Sequence, residues 1–173
     1  GGEPLGHGVG PVLEARDVLA VLDGEGPARL RTKSVRLADL VFECCGVDAD
    51  AEALLASGEA RRTFDAIVEA QGGDPAVTRA DLDPGETTHT IDAAEAGVVT
   101  KLVNGLARRA GAPTDKRAGV YLHVTTGDAV EAGDPLATIH VEKDAKLDEA
   151  RRYAADNEPV RVREPNESLV ERV

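Results

Sequence analysis

Four histidines, two adjacent cysteines, a glycine run and one lysine are the residues of this 173-residue chain whose types and spacing could do chemistry. Gly6, Gly8 and Gly10 precede Pro11, and bare backbone N–H groups at a helix start attract anions. A phosphate cradle is the reading this invites. The spacing fits neither the dinucleotide fingerprint nor the P-loop, no Lys-Ser/Thr pair follows directly, and Pro11 removes one donor. The run is therefore expected to be a flexible loop arriving from upstream sequence. Cys44 and Cys45 are neighbours on an expected helix, so their side chains diverge by ~100° and cannot chelate together. Beside Leu40 and Val41 they are expected to be small buried hydrophobes, kept reduced in a cytoplasm. His7, His89, His123 and His140 form no HExxH pattern and have no CxxC partner. The last three fall on predicted strands and are expected to be solvated or hydrogen-bonded surface residues. No nucleophile, base and orienting acid can be assembled from local sequence, and abundance alone gives no acid a catalytic environment. No catalytic, cofactor-binding or metal-binding residue is assigned, and no cofactor is expected.

Composition narrows the classes further. The chain has 32 acidic and 20 basic side chains and a formal net charge of -12. A surface this acidic repels phosphate backbones, which nucleic-acid binders meet with clustered Lys and Arg. Nucleic acid is excluded as a partner. No apolar run approaches the ~20 residues that cross a bilayer, and no basic-then-apolar leader precedes Gly1, so membrane and secretory readings also drop out. A 42% hydrophobic content, carried by Ala, Val and Leu, implies a packed globular chain. The acids are spread along the whole length instead of forming a tail. Such a diffuse acidic surface keeps a protein dissolved at high salt, where repulsion is screened, and a salt-adapted cytoplasm is the expectation.

These residues need elements to position them. Pro11 suits a first helical position, and Val12, Leu13, Val18, Leu19 and Leu22 supply an apolar face up to Asp23-Gly24. Leu37, Leu40, Val41, Cys44 and Cys45 recur at helical spacing in a second helix from about Leu30 to Cys45, with Gly46 as a left-handed stop. Asp48 can cap a third stretch that bends at Ser57-Gly58 and ends at Gly72-Gly73-Asp74-Pro75. Residues 77–86 have no apolar period and read as a domain boundary. Beyond them come short predicted strands at 87–92, 97–103, 119–125, 129–130, 136–141 and 160–163, with helices at 104–110 and 144–155. The fold class is α+β, without the regular alternation of a doubly wound sheet.

Within the second half, Ala94 to Leu102 and then Gly127 to Ile139 place two glycine-led turns around a short β step. This resembles the hammerhead shape of biotinyl and lipoyl carrier domains, in which a modified lysine sits at a hairpin tip near the place of Lys143. Glu142, Asp144 and a following helix depart from that pattern.

Ordered landmarks along the whole chain carry a more specific resemblance. They are Gly10-Pro11-Val12-Leu13-Glu14-Ala15-Arg16-Asp17-Val18-Leu19, Ala70-Gln71-Gly72-Gly73-Asp74-Pro75, Ala110-Gly111-Ala112-Pro113-Thr114-Asp115-Lys116, Gly119-Val120-Tyr121-Leu122-His123-Val124 and the Gly127 to Ile139 segment. The chain resembles the C-terminal part of the thymidine/pyrimidine-nucleoside phosphorylase family, most of all its archaeal AMP phosphorylase branch. Ala145-Lys146-Leu147-Asp148-Glu149-Ala150 also favours that branch, while Arg117 stands where a small residue is expected.

The resemblance implies a phosphorolytic pentosyltransferase. Its substrates would be a nucleoside 5'-monophosphate and inorganic phosphate, its products free base and ribose 1,5-bisphosphate, and its catalytic residues would lie upstream of residue 1. It implies helices of the catalytic α/β domain over 1–76, a linker over 77–86 and a C-terminal α/β-hammerhead domain over 87–173, with a cleft-closure role. A cytoplasmic homo-oligomer is implied for the full-length enzyme. A thymidine or pyrimidine nucleoside phosphorylase fragment and a stand-alone hammerhead assembly module are the competing readings.

Overall fold

A computed structural model describes residues 4–102 and 105–164. They form two compact units: Glu14–Asp83, and a second that joins the residues up to Leu13 to those from Pro84 onward. The helical unit thus begins at Glu14, and the expected 1–76 segment loses its first residues to the carboxy-terminal unit. The cause is a strand where a loop was expected. Gly8–Val9 forms β1 and pairs antiparallel with β4, Gly119–Leu122, in the register Gly8↔Tyr121 and Val9↔Val120. The glycines serve this packing instead of an anion. A Cβ on Gly8 would lie 2.5 Å from the Leu13 backbone, and Gly10 has φ +126° with the Ala118 carbonyl oxygen 2.6 Å from where its Cβ would stand.

The helices of Glu14–Asp83 follow the apolar spacing. Helix α1 spans Pro11–Leu22, with Pro11 at its first position, and α2 spans Ala28–Cys45. Gly46 closes α2 in the left-handed region at φ 67°, donating to the Glu43 carbonyl while Val47 donates to that of Phe42. Helices α3 (Ala51–Ala56) and α4 (Glu59–Ala70) are divided at Ser57-Gly58, and Asp50 caps α3 by accepting from the Ala53 N–H. Arg61 on α4 ties the unit together. Its guanidinium donates to Asp65 at 2.8 Å, to Asp23 beyond α1 at 2.7 Å, and to the Val77 carbonyl at 2.9 Å. A 3-10 turn, Arg79–Asp81, lies in the stretch read as an aperiodic linker, and the Asp81 carboxylate accepts from both the N–H and the hydroxyl of Thr78.

The other unit holds two antiparallel sheets. The first has the order β1-β4-β6-β2, where β2 is Thr87–Asp92 and β6 is Pro135–Val141; the second has the order β5-β3-β7, where β3 is Gly97–Leu102, β5 is Ala129–Val130 and β7 is Val160–Arg163. Helices α5 (Gly105–Ala110) and α6 (Asp144–Asn157) pack on the inner face of the first sheet. Together these elements are α+β, as the sequence implies. The predicted positions Val103 and Asn104 lie outside the described residues. From Ala137 onward, alternation along β6 turns Ala137, Ile139 and Val141 inward to full burial and leaves Thr138 and His140 on the outer face, while Leu136, at a register irregularity with β2, is also buried. Around them pack Leu106, Ala107 and Ala110 from α5, Ala150 from α6, and Val120 and Leu122 from β4.

Replacing Ile139 by Ala is expected to destabilise this unit by about 2–5 kcal/mol, read as a lower midpoint of urea unfolding. A loss below about 0.5 kcal/mol would mean that β6 is not central to the core. Screening of the dispersed acids is expected to raise the melting temperature across a KCl series; a melting temperature that falls with salt would reject salt adaptation.

Candidate functional site

The chemically richest surface among the described residues is the outer face of the β1-β4-β6-β2 sheet. Alternation on β4 and beyond turns Tyr121 and His123 to the same side as Thr138 and His140 of β6, and the register sets Tyr121 opposite Thr138 and Gly119 opposite His140. From the other edge, Thr88 and Thr90 of β2 stand opposite His140 and Thr138. His7, which precedes β1, stacks on Tyr121 with ring centroids 5.8 Å apart, and His123 meets the same ring edge-on at 5.2 Å. Two imidazoles thus flank one phenol. The His7 Nδ1 and the Leu122 carbonyl are 3.0 Å apart, the Leu122 N–H donates to the His7 carbonyl at 2.7 Å, and His140 Nδ1 pairs with the Gly85 carbonyl at 3.1 Å.

His123 Nε2 lies 2.8 Å from Thr138 Oγ1, which is 3.2 Å from Thr90 Oγ1. A histidine and a hydroxyl at this distance have the spacing of a base and its nucleophile. Here the threonine hydroxyl is shared with a second threonine on a sheet face, and His123 is exposed, so the contact is a cross-strand hydrogen bond. Burial of its inner edge, with His7 and His140 nearby, holds His123 below the ordinary histidine range, against an opposing pull from Asp92. Among the described residues no group of three or more His, Cys, Asp or Glu could hold a metal ion.

The other singled-out residues stand apart from this face. His89 lies on β2, as expected, with no aromatic or histidine partner described. Lys143 follows β6 after Glu142 and occupies the N-cap position of α6, so it sits at a strand-to-helix turn and not at the hairpin tip of a carrier domain. Cys44 and Cys45 are exposed, against the expectation of burial. The physical reason is that their whole stripe is uncovered: α2 has no buried residue, and Leu37, Leu40 and Val41 are 53%, 47% and 58% exposed. Arg117 offsets its departure from a small residue by pairing with Glu142 at 3.2 Å and Glu86 at 3.6 Å and donating to the Pro84 carbonyl. A cleft of about 510 Å³ beside β7 contains Arg161 and Arg163, but Asp92, Glu95, Glu158 and Glu164 outnumber them there. Its net charge disfavours a phosphate group.

Comparison with known proteins decides what these elements belong to. The pyrimidine nucleoside phosphorylase C-terminal domain matches residues 88–160. An AMP phosphorylase of Natronomonas pharaonis is 53% identical, over 99% of this chain and 36% of the relative. An AMP phosphorylase of Thermococcus kodakarensis is 44% identical, over 94% of the chain and 34% of the relative. Residues 88–160 thus match the C-terminal domain of the pyrimidine nucleoside phosphorylases, and nearly the whole chain is similar to the AMP phosphorylases named. It spans about a third of the length of the curated relatives it matches. All described helices are too short or too polar to cross a membrane.

Neither unit of the chain assembles a nucleophile, base and orienting acid from its described residues. The His7–Tyr121–His123 cluster was invisible to motif scanning, because it depends on the β1–β4 pairing across a gap of more than a hundred residues. Its only local trace is the i, i+2 spacing of Tyr121 with His123 and of Thr138 with His140. A histidine NMR titration is expected to place His123 below a solvent-exposed reference histidine, and His7→Gln is expected to move it upward by removing a like charge. An unmoved midpoint in His7→Gln would mean that the two imidazoles do not sense each other.

Proposed function

We propose that this chain is the C-terminal third of a nucleotide phosphorylase that cleaves AMP or another nucleoside 5'-monophosphate in nucleotide salvage. In that reaction phosphate attacks the ribose C1' as the C1'–N bond breaks; the base leaves with a proton and ribose 1,5-bisphosphate remains. The chemistry requires an anion cradle, contacts to the 5'-phosphate and a proton donor for the base. Inorganic phosphate is a co-substrate and no further cofactor is called for. The observation that carries the reading is the 53% identity to an AMP phosphorylase over nearly the whole of this chain but only 36% of that relative.

The role left to this chain is architectural. Residues 87–173 buttress one side of a closing cleft, affecting turnover without touching the reacting atoms, in a cytoplasmic homo-oligomer. The uncovered stripe of α2 supports this. Leu37, Leu40 and Val41, with Cys44 one turn on, form an apolar surface of the kind that marks an interaction site, and we assign its cover to the preceding catalytic portion.

The chain alone is expected to release no ribose 1,5-bisphosphate from AMP and phosphate, whereas the complete enzyme does. Removing residues 87–173 from the complete enzyme should impair phosphorolysis or assembly, and an unchanged rate and oligomer size would dispose of the architectural role. Leu40→Asp should disrupt the complete enzyme, yet shift the stability of this chain by no more than about 0.5 kcal/mol, the usual range for an exposed site. A much larger loss in the isolated chain would place Leu40 in its core instead.

A further inference from the structure

Strand β1 is short, and two backbone pairs with β4 are little to hold a chain segment in place. Side chains extend the attachment. The His7 backbone carbonyl and imidazole both engage Leu122, and the His7 ring lies on Tyr121, whose edge meets His123. We propose that His7, Tyr121 and His123 form an acid-released clasp that keeps β1 paired with β4. This goes beyond the phosphorylase reading and does not depend on it.

The groups that face the clasp come from every strand of the sheet. His140 and Thr138 stand on β6, Asp92 at the end of β2, and Tyr121 with His123 on β4 and just past it. One imidazolium over the Tyr121 face gains from the ring electrons. A second at His123, against the same ring, meets like charge, and a third at His140 adds to it. Asp92 is the carboxylate that opposes them. The closed clasp therefore disfavours the charged form of His123. The sign follows from the direction at His123: a histidine held below its ordinary range in the closed state takes up its proton more readily once released, so acid favours opening. For each proton taken up on release, the opening constant rises by up to about tenfold per pH unit.

The segment held by the clasp leads directly into α1. Two further contacts hold it on the same unit: the Val12 N–H donates to the Lys116 carbonyl at 3.1 Å, and Gly10 sits against Ala118. Opening therefore begins at the His7 end and leaves the Val12 contact in place.

Amide hydrogen exchange on the 173-residue chain at pH ~7.5 and ~5.5, spanning the histidine range, reads this directly. Leu122, whose N–H donates to His7, is the reporter, and the buried strand β6 is the reference. After correction for intrinsic rates, Leu122 protection is expected to fall by about tenfold or more on acidification, for the proton taken up at His123, while β6 keeps its protection. His7→Gln with His123→Gln should abolish the fall. His123→Gln alone should reduce it, which keeps the test usable where the double variant does not fold. The proposal is overturned by pH-independent protection at Leu122, by β6 losing protection in parallel, or by a folded variant that falls as far as the natural chain.

Discussion

The carboxy-terminal unit depends on the alternation of β6 from Ala137 to Val141. Because successive side chains of a strand point to opposite faces, Ala137, Ile139 and Val141 bury completely against α5 and α6 while Thr138 and His140 stay outside. A slip of one residue would exchange these sets, placing a hydroxyl and an imidazole in the core. The same register aligns Tyr121 with Thr138 and both with Thr90. Core and outer face are therefore two consequences of one pairing. The edge of the sheet at β4 is covered by a strand from the start of the chain, which leaves it less open to pairing with another molecule.

The helical unit is held differently. Its interior is thin, and Arg61 links α4 to Asp23 and to the Val77 carbonyl. Arg79 pairs with Glu25 at 2.5 Å, and Arg31 also pairs with Glu52. Exposed pairs of this kind contribute only about 0–1 kcal/mol each, so they orient the helices more than they stabilise them. An 18-residue helix with no buried residue is the outcome. Its apolar stripe has the spacing of a buried face without the burial.

Much of this was legible in the sequence where the signal is local. The Pro11 start, the Gly46 stop and the Ser57-Gly58 break each depend on the conformational limits of a residue or two, and all three appear at those positions. The strands from β2 to β7 emerged from alternation and glycine turns. Two features escaped because they are not local. Gly8–Val9 has no strand pattern and becomes a strand only because β4 supplies a partner. The spacing at Cys44 and Cys45 correctly marked an apolar face, but spacing cannot say whether the partner of that face lies within the chain. The histidine cluster was hidden for the first of these reasons, since His7 and Tyr121 meet only after β1 has paired.

In the proposed arrangement, α2 presents a face that the rest of a phosphorylase completes. Cys44 and Cys45 lie on that helix and are exposed in this chain, so their reactivity reports its cover. The direct measurement is the rate at which a thiol reagent labels them in the folded 173-residue chain and in the complete enzyme. Labelling is expected to be fast in the chain and slowed by roughly tenfold or more in the complete enzyme, since covered thiols react only on opening. Equal rates in the two would contradict it.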